Sequence, residues 1–178
     1  MDNSIITYEV FEQMKQKCKA VVKYFYDWCN SNTAEFDPND EDLDVDACAV
    51  SDERIEQLFS DLSEVLHIHP EMGRFRDNDV ENGRYTEASD TVLLPYCINY
   101  ETHTKIASVI CHELFHAFQY AAICNPENYP FLPKGTIDKW RFEFDPANYE
   151  NGDRDSKKYR DQEIEQSARD FARDVCVI

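Results

Sequence analysis

The stretch from Ile106 to Ile123 constrains this chain more than any other. Ile106, Ala107, Val109, Ile110 and Cys111 lead into His112-Glu113-Leu114-Phe115-His116, and Ala117, Phe118, Tyr120, Ala121, Ala122 and Ile123 follow it. A helix that is apolar nearly all round is a buried helix. Such a helix should not carry two histidines and a glutamate unless something satisfies them. The segment therefore predicts a helix through the core and a polar cluster inside it that needs a partner.

The spacing says what that partner is. On a helix, positions i and i+4 lie one above the other on the same face, so His112 and His116 can point at one ion. Neutral imidazole suits zinc, and catalytic zinc sites have three protein ligands with a water in the fourth position. The intervening Glu113 sits next to that water and can take its proton. Stray His and Glu on a surface helix would give the same letters, but the apolar context on both sides speaks against it.

Length and composition bound the rest. A chain of 178 residues, 42% hydrophobic and 13% aromatic, predicts one globular domain with a sizeable core. No apolar run approaches a membrane span, and Met1-Asp2-Asn3-Ser4 lacks the basic and apolar regions of a signal peptide. The seven cysteines, at 18, 29, 48, 97, 111, 124 and 176, are odd in number and form no C-x-x-C pair. They read as reduced thiols, mostly buried, in a cytoplasmic protein. The net charge of −18 argues against nucleic acid and anionic membrane surfaces, both of which need Lys and Arg. Solubility is its first meaning; steering of basic substrates or partners is its functional one.

Along the chain, Val10, Met14, Cys18, Val21, Val22, Phe25 and Cys29 predict a helix over 5–31 that breaks at Asn30-Ser31-Asn32. Residues 37–46 read as a solvated acidic loop, because the sixth position of a calcium loop would be Gly and here is Asp42. Ser51 caps a second helix with Ile55, Leu58, Phe59, Leu62, Val65 and Leu66 on its apolar face. His67 and His69 follow it without a third ligand at zinc spacing, and His103 points away from His112; none is taken as a ligand. Gly83 to Tyr100 reads as a strand hairpin, and Thr102 or Thr104 caps the buried helix. A long loop is predicted from Pro126 to Lys139, then a short element at Trp140–Phe144 and a turn at Asn151-Gly152-Asp153. A last helix from about Tyr159 carries Ile164, Ala168, Phe171, Ala172 and Val175 on one face.

Two histidines need a third ligand. No histidine follows His116, so a carboxylate is expected, and the last helix offers Glu163 and Glu165. Helical spacing mildly favours Glu165, along the edge of the apolar face.

The order of these residues resembles the small gluzincin-type zinc metallopeptidases, nearest to the ImmA/IrrE-like minimal zincins of bacteria and phages. The residues that carry the resemblance are Gly83 and Tyr85, Thr91 to Leu94, His112 to His116 with Ala117 and Gln119, Trp140, and Glu165 with Ala168, Phe171 and Ala172. It covers about residues 83 to 175, the catalytic core; the first 80 residues, a helical N-terminal portion, match no member of the group. It implies an α+β minimal zincin-like fold, mostly helical with a small strand hairpin or sheet before the active-site helix. It also implies zinc (Zn2+) held by His112, His116 and Glu165, Glu113 as general base, and hydrolysis of a peptide or protein substrate. Tyr159, six residues before Glu165, and Tyr149 are candidate donors to the developing oxyanion. Three other readings compete: a zincin-fold binding protein without activity, a delivered effector or toxin protease, and an acidic mimic of nucleic acid. The last leaves the buried H-E-x-x-H helix unexplained.

Overall fold

The computed structural model describes residues 5–33, 49–75, 83–149 and 156–177. The acidic segment 37–46 and the turn at 151–153 lie outside them.

Helix α1 (Tyr8–Asn32) starts at Thr7, whose hydroxyl accepts the N–H of Val10. Met14, Cys18, Val22, Phe25 and Cys29 form its buried stripe. The break expected at 30–32 falls at Thr33 instead. Ser31 and Asn32 donate their side chains back to the carbonyls of Asp27 and Trp28, which accommodates both residues within the helix. Helix α2 (Asp52–Val65) is capped by Ser51, which accepts the N–H of Arg54. Its Ile55, Leu58, Phe59 and Leu62 are buried, and the helix packs against α1. His67, at a positive φ of 55°, turns the chain away from α2.

Among the described residues the sheet has three strands in the order β1 (Glu71–Phe75), β3 (Thr91–Pro95), β2 (Arg84–Thr86). Strands β2 and β3 form the expected antiparallel hairpin, with Tyr85 opposite Val92. Strand β1 was not foreseen. It runs parallel to β3, with Glu71 opposite Thr91, so the first 80 residues contribute a strand and are not purely helical.

Helix α3 (His103–Cys124) begins at Thr102, which accepts the N–H of Lys105, and ends at Asn125. Its buried residues include Ile106, Ile110, Leu114, Phe118 and Ala122, so the predicted core helix is present. Helix α4 (Lys134–Phe144) starts earlier than the sequence reading placed it, which shortens the expected loop. The Pro133 carbonyl accepts the N–H groups of Thr136 and Ile137. The short element expected at Trp140–Phe144 is the end of this helix, and Trp140 is buried on it.

The expected last helix is two, α5 (Ser156–Asp161) and α6 (Glu163–Cys176), separated at Gln162, whose backbone is extended. Ile164, Ala168, Phe171, Ala172 and Val175 are buried, and α6 packs along α3. Phe171 stacks on Phe115 with ring centroids 4.6 Å apart, which fixes the register between the two helices. The fold is thus α+β, mostly helical with a small sheet. Among the described residues, no helix is long and apolar enough to cross a membrane. Cys18, Cys29, Cys111 and Cys176 are buried free thiols, whereas Cys97 and Cys124 are exposed.

Candidate metal centre

Helix α3 sets His112 and His116 one turn apart with their Nε2 atoms 3.1 Å from each other. Helix α6 brings Glu165 to them from its first turn. Glu165 Oε2 lies 3.3 Å from His112 Nε2, and Oε1 lies 3.5 Å from His116 Nε2. A tetrahedral zinc with bonds of about 2.0–2.1 Å separates its ligand atoms by roughly 3.3–3.4 Å. The His–His separation and each histidine's distance to the carboxylate are close to that value, the two histidines facing different oxygens of Glu165. These residues alone, among those described, form a His/Cys/Asp/Glu group with metal-ligand spacing.

The donor chemistry fits a cation too. Glu165 is 1% exposed, and its Oε2 is buried without a hydrogen-bond partner, the position an ion would satisfy. Its Oε1 accepts the Tyr149 hydroxyl at 2.8 Å. His116 Nδ1 lies 2.8 Å from Gln119 Oε1, an acceptor only, so the imidazole proton sits on Nδ1 and the Nε2 lone pair faces the cluster. Gln119 is oriented in turn by its Nε2, which donates to the Ile164 carbonyl at 3.0 Å and to the Ser167 hydroxyl at 2.8 Å.

The groups ionise differently. Burial opposes charge on Glu165, yet the His112 and His116 imidazoles and the Tyr159 hydroxyl together hold its carboxyl down at about 2. Burial and the neighbouring His112 push His116 down to about 4, so it is neutral. For His112, burial is outweighed by the contact of its Nε2 with the Glu165 carboxylate and by the charges of Glu113 and Glu165, and its pKa rises. Burial pushes Glu113 up to about 7 against the pull of His112. The site therefore combines an anionic carboxylate, a neutral imidazole and a carboxyl poised near neutral pH.

Glu113 is held from the sheet side. The Tyr85 N–H on the open edge of β2 donates to its Oε2 at 2.8 Å. Of the two glutamates offered by the last helix, Glu163 instead pairs with Lys139 at 3.0 Å. Tyr149 and Tyr159 stand beside Glu165, their rings edge to face at 6.2 Å, so both candidate oxyanion donors adjoin the third ligand. His67 and His69 are exposed beyond α2, and His103 Nε2 lies 2.9 Å from Thr33 Oγ1; none joins the cluster.

Sequence reasoning missed Glu143, a buried carboxylate that caps α6, and Phe144, whose ring meets His116 edge-on at 6.3 Å. A glutamate flanked by two phenylalanines carries no local signal of either role. Comparison with known proteins returns no matching family model, no matching curated protein and no matching solved structure.

Proposed function

We propose that the chain is a zinc-dependent peptide-bond hydrolase. The observation that carries this reading is Glu113: a buried carboxylate set between two adjacent candidate ligands and anchored by the Tyr85 N–H. A metal site that served structure alone would have no use for such a base.

His112, His116 and Glu165 would hold the ion. When bound, zinc supplies Lewis acidity, lowering the pKa of a water and polarising the scissile carbonyl. Glu113 takes a proton from the attacking water and returns it to the leaving amine, as a general base and then acid. Tyr85 holds one oxygen of that carboxylate and so aims the other. Tyr149 and Tyr159 are neutral hydroxyl donors at the site, able to stabilise developing negative charge. The net charge of −18 favours basic peptides or proteins as substrates through steering.

The deciding experiment measures metal content by mass spectrometry, then hydrolysis of a broad peptide library. Wild type should hold about one zinc per chain, Glu165→Ala should lose it, and Glu113→Gln should keep it while cleaving nothing. Zinc held by wild type with no cleavage would reduce the protein to a metal-binding module. No zinc in wild type, even after adding it back, would end the hydrolase reading.

A further inference from the structure

We infer that Glu143 is a positioning residue for the third metal ligand, acting through the backbone that carries Glu165. The inference rests on the metal centre proposed above.

Helix α6 begins without support of its own. Gln162 makes no side-chain cap, and its extended backbone cuts α6 off from α5. The first amides of a helix lack intrahelical acceptors, and the first turn frays unless they find others. Here Glu143, near the end of α4, supplies both oxygens. Its Oε1 accepts the Glu163 N–H at 3.2 Å and its Oε2 accepts the Ile164 N–H at 2.9 Å. The carboxylate is 7% exposed, and a negative charge at a helix N-terminus gains from the helix dipole.

The other side of Ile164 is held as well. Its carbonyl accepts Gln119 Nε2, and the same Gln119 takes the Nδ1 proton of His116. The two peptide units that lead into Glu165 are therefore pinned from α4 and from α3. One continuous chain of hydrogen bonds runs from Glu143 through Ile164 and Gln119 to His116. Phe144, next to Glu143, packs on that same imidazole. Glu165 thus reaches His112 and His116 from a turn held on both sides of Ile164.

A residue that merely stabilised α6 would change the melting temperature and leave the ion's surroundings alone. The test therefore reads the metal. Glu143→Gln keeps one acceptor and loses the charge; Glu143→Ala loses both acceptors. Each is compared with wild type for zinc affinity, by competition with a chromophoric chelator, for the visible absorption of the cobalt-loaded protein, and for far-ultraviolet circular dichroism. Lys139→Ala is the control, since it removes the neighbouring ion pair from α4 to α6 without touching the amides.

Both Glu143 variants should bind zinc about 10- to 100-fold more weakly and alter the cobalt absorption, with the dichroism unchanged and the control like wild type. Zinc affinity within about twofold of wild type in both variants, with a wild-type cobalt spectrum, would overturn the inference. If Glu143→Ala does not fold, Glu143→Gln decides by the same readouts. A wild type that binds no zinc is a different result: it overturns the metal centre itself and this inference with it.

Discussion

Gly83 lies so close to Glu113 that a β-carbon on the glycine would stand 2.8 Å from the glutamate's Cγ. Leu94 Cδ2 and Val109 Cγ1 would each be 3.1 Å away, so the methyl has nowhere to go. The glycine lets the sheet edge approach α3 near enough for Tyr85 to bind the carboxylate. Gly83→Ala should therefore displace the proposed base without touching the metal ligands. We expect kcat to fall about 100-fold, zinc content to stay at the wild-type level, and stability to drop by about 1–3 kcal/mol. Kinetics and metal analysis on one preparation check this; an unchanged kcat would mean that the position of Glu113 does not matter.

Tyr149 and Tyr159 both adjoin Glu165, but they need not do the same work. Tyr149 donates directly to Oε1, and Tyr149→Phe would leave a buried carboxylate oxygen short of a donor. That costs about 1–3 kcal/mol, which should weaken zinc binding by about tenfold or more. Tyr159→Phe also takes a hydroxyl away from Glu165, and beyond that should lower kcat by about 100-fold even at saturating zinc, as removal of an oxyanion donor does. The opposite pattern of zinc affinities and rates would exchange the two roles.

The legible parts of this fold are those whose signals are local. The polar triplet on α3 stands out because its neighbours are apolar on both sides. Ser51 and Thr102 mark helix starts because a hydroxyl there accepts an N–H three residues on. The unread parts depend on distant partners. Glu71-Met72-Gly73-Arg74-Phe75 has no alternation and few strand formers; it is a strand because β3, some twenty residues later, offers a parallel edge. Pro133 and Gly135 look like loop, yet a proline is well suited to a helix start and Gly135 has open space around it. At Gln162 no glycine or proline announces the break. The carboxylate of Glu143, folded in from α4, takes the first amides of α6 there. The face shared with Ala168 only mildly favours Glu165 over Glu163, and Glu143 acts solely through tertiary contact.

Gln119 is fully buried and joins His116 to α6. Gln119→Leu keeps much of its volume and removes every polar contact. The His116 Nδ1–H would be left unpaired in the core, at about 1–3 kcal/mol, while the Ile164 carbonyl keeps the Ser167 hydroxyl. The thermal midpoint should fall by more than about 2 °C. Zinc affinity should fall by about 10- to 100-fold, because the tautomer of His116 is no longer imposed. Chelator competition and thermal melts of metal-free and zinc-loaded protein test both; a melt change without an affinity change would make Gln119 a core residue only.

The last prediction concerns pH in the metal-free protein. Glu113 has a folded pKa of about 7 against an ordinary 4.5, because burial disfavours its charge. Between those values the folded state binds more protons than the unfolded chain, so this group's contribution is complete below about 4.5 and is lost as pH rises through 7. His116 runs the other way: with a folded pKa of about 4 against 6.5, its contribution is complete above 6.5 and is lost as pH falls towards 4. The two slopes oppose each other between 4.5 and 6.5, so wild-type stability alone would hide both. Glu113→Gln separates them, since glutamine stands in for the protonated acid at all pH values. The variant should match wild type near pH 4.5 and exceed it by about 3 kcal/mol above pH 7.5. Urea unfolding of both proteins in chelator across that range is the measurement. Stability curves that run parallel would show that Glu113 ionises as an ordinary exposed carboxylate, and its fitness as a general base at neutral pH would go with it.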